Sequence, residues 1–165
     1  DIIGGKMTLM GAGGAASSIL VQAAIDGVKE IDVYNRPGTN FDKAQILIDK
    51  LNEVTSAKVS LYDLNDETSL KKSLDSSTIL TNGTSLGMAP NIDSCVIKDS
   101  SFLHPELIVS DIVYNPLETK LMKMSKEIGC PVFNGLYMLL YQGAEAFKLW
   151  TGKEMPVNEI KSKFF

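Results

Sequence analysis

The chain has 165 residues, about one domain by length, and a domain of that size buries roughly 70% of the surface its extended chain would expose. Hydrophobic residues make up 44% and charged residues 22%, with 13 Gly and 6 Pro, which excludes disordered, collagenous and disulfide-built classes. The net charge of −4 and a pI near 5.0, with lysines scattered singly, argue against nucleic acid as a partner and leave small molecules as the expected ones.

The 2 cysteines, Cys95 and Cys130, form no CxxC pair, and there is 1 histidine, so neither a disulfide framework nor a metal site is indicated. A reduced, cytoplasmic setting is expected. No apolar run reaches the roughly 18 residues of a membrane helix, and no leader pattern stands at the start. The chain opens on Asp1 without an initiator Met, and upstream sequence is expected.

In chain order, Lys6 to Met10 reads as a strand that runs into Gly11-Ala12-Gly13-Gly14-Ala15-Ala16 and a helix through Asp26-Gly27. Ile31 to Tyr34 is a second strand, followed by Asn35-Arg36-Pro37-Gly38 and a helix with Ala44, Ile46 to Ile48 and Leu51 on one face. Lys58 to Tyr62 is a third strand, and Asn65-Asp66 caps a helix bearing Leu70 and Leu74. Thr78 to Thr81 is a fourth strand, discharging into the glycine- and hydroxyl-rich loop Asn82 to Pro90, a site candidate. Leu107 to Val113 is an apolar strand, followed by Tyr114-Asn115-Pro116 and a helix with Leu121, Met122, Met124 and Ile128, closed by Gly129. Val132-Phe133 is a last short strand, and helical spacing runs from Tyr137 to Trp150. The alternation predicts an α/β fold of Rossmann type, with a doubly wound, mostly parallel sheet, helices on both faces and a C-terminal helix from about residue 135.

The turn after the first strand has the spacing GxGxxA. Gly11 permits the tight turn, Gly13 removes a side chain where a pyrophosphate would lie, and Ala16 lets the helix pack close to the strand. Dinucleotide binding is the reading this context favours over a purely structural glycine turn. At the end of the second strand, where an acid would take the adenosine 2′-hydroxyl, no carboxylate appears before Asp42. Arg36 can stack on adenine or pair with a phosphate, and Thr39 can donate to one. The missing acid also weighs against an S-adenosylmethionine methyltransferase.

Other residues carry plainer readings. His104 precedes Pro105 and suits a surface or capping role, and the Leu121, Met122 and Met124 stripe reads as helix core. Cys130 fills space before the last strand. Asp63, Asp66 and Glu67 suit a helix cap and dipole rather than a metal. Phe147 and Trp150 are expected against the sheet or against a further domain.

Five motifs in order resemble the cofactor domain of the shikimate dehydrogenase family. They are Gly11-Ala12-Gly13-Gly14-Ala15, Asn35-Arg36, Asn82-Gly83-Thr84-Ser85-Leu86-Gly87-Met88, Tyr114-Asn115-Pro116 with Thr119, and Gly135 with Met138-Leu139-Leu140-Tyr141-Gln142-Gly143-Ala144. Phe41-Asp42-Lys43-Ala44, the Asn82-Gly83-Thr84 form of the loop and the ending Leu149-Trp150-Thr151-Gly152-Lys153 resemble the quinate/shikimate branch.

The resemblance implies NAD(P)-dependent interconversion of shikimate and 3-dehydroshikimate in chorismate and aromatic amino acid biosynthesis, and of quinate and 3-dehydroquinate in this branch. It implies that Ala12, Gly13, Gly14 and Ala15 hold the pyrophosphate, with Asn35 and Arg36 at the adenosine end. Thr84 would approach the nicotinamide-side ribose, and Ile112, Tyr114, Gly135 and Met138 would surround the nicotinamide. Gln142, with Tyr114 beside it, would meet the substrate hydroxyls. Gly38 stands where branch members with strong NAD use place an acid, and Ala89 where a basic residue can follow Gly-Met, so NAD and NADP both stay open as cofactor.

Hydride transfer to a ketone needs a proton donor, and none is found here. His104 sits in a turn, Tyr114 lacks a neighbouring lysine, Lys6 and Lys153 fall at element edges, and Asp1 is too close to the first strand. The family implies a Lys and Asp pair in an N-terminal substrate domain. The expectation is that residues 1–165 are the NAD(P)-binding domain of a two-domain dehydrogenase, inactive alone. The alternative is a non-catalytic dinucleotide-binding or redox-sensing module.

Overall fold

The computed structural model describes residues 2–164, so Asp1, on which the expectation of upstream sequence was based, lies outside the described residues. Six strands, β1 (Lys6–Met10), β2 (Glu30–Asn35), β3 (Lys58–Asp63), β4 (Ile79–Asn82), β5 (Ile108–Asp111) and β6 (Val132–Phe133), form one sheet in the order β3-β2-β1-β4-β5-β6. Every pairing is parallel, and consecutive strands are joined by the long crossovers that parallel strands need. The crossovers are α1 (Gly14–Ile25), α2 (Thr39–Val54), α3 (Glu67–Ser76) and α4 (Lys120–Ile128), with α5 (Leu136–Thr151) and α6 (Val157–Phe164) after β6.

Side-chain alternation along β1 divides the core in two. Met7 and Leu9 point to the face covered by α1 and α2, with Leu20, Val28, Ile31, Val33 and Ile48. Met10 points to the opposite face with Leu80 of β4, Val109 of β5, Leu74 of α3, Leu121 of α4 and Leu107 from the loop before β5. Thr8, on that second face, starts a polar seam instead of an apolar one. Its hydroxyl meets Ser73 at 3.1 Å and Ser77 at 2.7 Å, and Ser73 donates to the buried Asp32 carboxylate. Lys6 Nζ reaches that carboxylate at 2.7 Å and Glu30 at 2.8 Å.

Local signals act as their chemistry predicts. The Asp66 carboxylate accepts from Ser69 N at 3.0 Å at the start of α3, and Thr119 accepts from Met122 N at the start of α4. His104 Nε2 lies 3.2 Å from the Leu74 carbonyl near the end of α3. The strand expected over Leu107 to Val113 stops at Asp111, because the Val113 N–H turns to the Asp111 carboxylate at 3.0 Å and leaves the ladder. Trp150 is 84% exposed and does not pack on the sheet. The helix α6 and the short 3-10 turn at Ser100–Phe102 carry no strong sequence signal. No helix of the described residues is long and apolar enough to cross a membrane.

Candidate functional site

The order of the sheet reverses between β1 and β4, and in open parallel sheets the crevice above the strand carboxyl ends at that point is where ligands bind. The turn from β1 to α1 stands there. Gly11 has φ +99°, and a Cβ on it would come within 2.8 Å of the Thr84 methyl, so both backbone and space demand glycine. Gly13 caps α1 without a side-chain hydrogen bond, and the first turn of α1 holds no acid. At Gly13 and Gly14 a Cβ would meet nothing within 4 Å. The N–H groups opening α1 therefore face open space at the positive end of the helix dipole, the arrangement that holds a phosphate. Ala16, fully buried, would lie 2.7 Å from a Cβ on Gly83, so α1 packs directly on the loop after β4.

A cleft of about 480 Å³ opens between this turn, the loop after β4, the segment after β5 and the start of α5. Gly13, Gly14, Ala15, Thr84, Ile112, Tyr114 and Met138 all line it, so seven of the expected residues converge. Among the described residues lining the cleft, Tyr114 is the one titratable side chain. The two loops are tied where Ala89 N donates to the Asn115 carbonyl at 3.0 Å. The Thr84 hydroxyl donates to Asn82 Oδ1 at 2.7 Å and accepts from Leu86 N at 3.1 Å, so it is engaged within its own loop.

A second cavity of about 220 Å³ lies over the β2–β3 half, walled by Arg36, Leu64, Asn65, Leu70, Cys95 and Phe102 among others. Ser85 borders the first cavity and Leu86, the next residue of the same loop, borders this one, so one loop separates the two spaces. Arg36 is exposed and has no ion pair among the described residues, whereas Lys98 beside it is held by Glu67 at 3.1 Å. Burial pushes the Cys95 thiol up, away from the reactive thiolate.

Four expected residues lie outside both cavity walls. Ala12 sits between Gly11 and Gly13 in the turn, and Asn35 donates its side-chain amide to the Arg36 carbonyl at 2.9 Å, shaping the turn itself. Gly135 is buried, with its N–H on the Val113 carbonyl at 3.2 Å. Gln142 is exposed on α5, one turn beyond Met138. Lys6 belongs to the polar seam at the opposite end of β1, and Lys153 is exposed past α5.

Asp111, which the sequence reading passed over, lies fully buried at the end of β5. It accepts from Asn82 Nδ2 at 3.0 Å, Val113 N at 3.0 Å and the Thr119 hydroxyl at 2.7 Å. Burial pushes its carboxyl upward against those three hydrogen bonds. The available signal was a charge inside the mostly apolar run Leu107 to Val113.

Residues 135–162 match the model of the shikimate 5'-dehydrogenase C-terminal domain. The chain is 48% identical over 165 residues to the shikimate dehydrogenase (NADP(+)) of Listeria monocytogenes serotype 4b, covering 100% of this chain and 57% of that relative. Over its whole length the chain is similar to part of these shikimate dehydrogenases. It spans somewhat over half the length of the curated relatives it matches, at 57%. Its fold is similar to the crystal structure of shikimate 5-dehydrogenase from Listeria monocytogenes in complex with shikimate and NAD, with a TM-score of 0.94, 48% identity and coverage of 100% of this chain and 57% of that one. It is also similar to quinate dehydrogenase from Corynebacterium glutamicum in complex with NAD, with a TM-score of 0.82, 27% identity and coverage of 97% and 54%.

Proposed function

We propose that residues 1–165 are the NAD(P)-binding domain of a two-domain dehydrogenase that interconverts 3-dehydroshikimate and shikimate, with quinate as a second substrate of the same class. The observation that carries this reading is the meeting, at the β1/β4 reversal, of an open helix N-terminus with a neutral cleft, in a chain 48% identical to a shikimate dehydrogenase. The proton-donating Lys and Asp are assigned to a substrate domain outside these residues.

On this reading the N–H groups at Ala12, Gly13, Gly14 and Ala15 bind the pyrophosphate. The adenosine runs toward Asn35 and Arg36 over the β2–β3 half, and the nicotinamide toward the cleft over the β4–β6 half. Thr84, Ile112, Tyr114 and Met138 enclose the nicotinamide and exclude water from one of its faces, and Gly135 fixes where α5 begins. The nicotinamide, when bound, supplies or accepts the hydride. Gln142 and Tyr114 orient the substrate hydroxyls.

Because the β2 end offers a guanidinium and no carboxylate before Asp42, NADP is expected to bind more tightly than NAD. Arg36→Ala should weaken NADP about tenfold, the loss of one solvent-exposed charged hydrogen bond, and leave NAD unchanged. Fluorescence or calorimetric titration with each dinucleotide tests this. Binding of neither would overturn the domain assignment, and unchanged NADP affinity in the variant would remove Arg36 from the 2′-phosphate.

The second reading, a dinucleotide-binding module without turnover, is favoured by one observation: among the described residues, the cleft offers no acid or base beyond Tyr114. Shikimate-dependent reduction of NADP by the full-length protein would exclude it.

A further inference from the structure

We infer that Asp111 is a positioning residue for the nicotinamide end of the cleft, its carboxylate setting the spacing of the two loops that form the cleft walls. The inference rests on the dinucleotide reading for the identity of the occupant, and on geometry for the coupling.

The three hydrogen bonds that Asp111 accepts come from three separate pieces of chain. Asn82 ends β4 and leads into the loop that carries Thr84 and Met88. Val113 begins the segment that carries Tyr114. Thr119 opens α4. Asn82 extends the reach of the carboxylate. Its Nδ2 also donates to the Leu86 carbonyl at 3.2 Å, and its Oδ1 accepts from Thr84 N at 3.1 Å and Thr84 Oγ1 at 2.7 Å. One buried group thus determines where both walls stand, without itself lining the cleft.

A carboxylate suits this role because it has acceptor sites alone, so three converging donors are satisfied at once. Asparagine would turn N–H donors toward part of the cluster, against a donor already aimed there, such as the Thr119 hydroxyl that donates to Asp111. Among the described residues no cation pairs with Asp111. An unpaired buried anion is a costly way to stabilise a fold where apolar packing would serve. A site held to sub-ångström geometry is a sufficient reason to keep one.

The test compares two probes on the full-length protein: NADP, and 2′-phospho-ADP-ribose, which lacks the nicotinamide. In Asp111→Asn, NADP affinity should fall at least tenfold while affinity for the shorter probe stays within twofold of the wild type. Thr119→Val, isosteric and at a position outside the cleft lining, should show the same selective loss at about threefold, and it carries the test alone if Asp111→Asn does not fold. Equal weakening of both probes would mark a merely structural residue and overturn the inference, as would no change in either. A wild type that binds neither probe would instead overturn the dinucleotide reading, and this inference with it.

Discussion

A Cβ placed on Gly135 would stand 1.8 Å from the carbonyl oxygen of Ile112. Backbone lies directly on backbone here, which is how the start of α5 is brought against the segment lining the cleft. Gly135 has φ −76°, a conformation open to any residue, so the requirement is one of space alone. Gly135→Ala should therefore push α5 and residues 112–114 apart, lowering stability by about 1–3 kcal/mol through overpacking and weakening NADP by tenfold or more. Urea unfolding with dinucleotide titration checks both, and wild-type values for the two would show that the contact relaxes without consequence.

The Lys6 ion pairs predict a distinctive pH response. Burial alone would lower the Lys6 ammonium, but the hydrogen bonds and charges of Asp32 and Glu30 outweigh it and raise it. The hydrogen bond from Lys6 holds the Glu30 carboxyl below its usual range. A raised base contributes stability that is fully present below its unfolded value, about 10.4 for lysine, and lost as pH rises through the folded one. A lowered acid contributes stability present above its unfolded value, about 4.3 for glutamate, and lost as pH falls through the folded one. Lys6→Met leaves Asp32 buried without its cation and should cost about 3 kcal/mol at pH 7, the low end for breaking a buried pair. The gap between variant and wild type should narrow above about pH 10.4 and below about pH 4.3. Denaturant unfolding across pH measures it, and a gap that stays constant would mean that the pairs contribute nothing to folding.

How far the fold was legible depended on whether a signal was local. The glycine turn, the Asp66 cap and the Gly129 helix end are written within a few residues each, and the structure shows them where the sequence puts them. The end of β5 was misjudged because the apolar run continues to Val113, while the event that stops the strand is a hydrogen bond from that residue to the Asp111 carboxylate. Periodicity has no record of such a bond. The same blindness hid Asp111 itself, whose partners Asn82 and Thr119 come from elsewhere in the chain. Trp150, expected on the sheet or against a further domain, does not lie on the sheet. An aromatic at helical spacing suits a core, yet Leu140 is the one residue of α5 that is buried, so the spacing describes a face that this chain leaves open.

Gln142 tests which way that open face looks. It follows Met138 by four residues, so the two share one side of α5, and Met138 borders the cleft. Gln142 is exposed and has no hydrogen bond among the described residues, so on the proposed function its amide can donate to and accept from a polyol beside the nicotinamide. Gln142→Ala in the full-length enzyme should raise the KM for shikimate roughly three- to tenfold, the loss of one or two neutral hydrogen bonds, with NADP affinity and melting temperature unchanged. The side chain is exposed, so a change confined to KM separates substrate contact from structural damage. An unaltered KM would show that this side of α5 faces something other than the substrate.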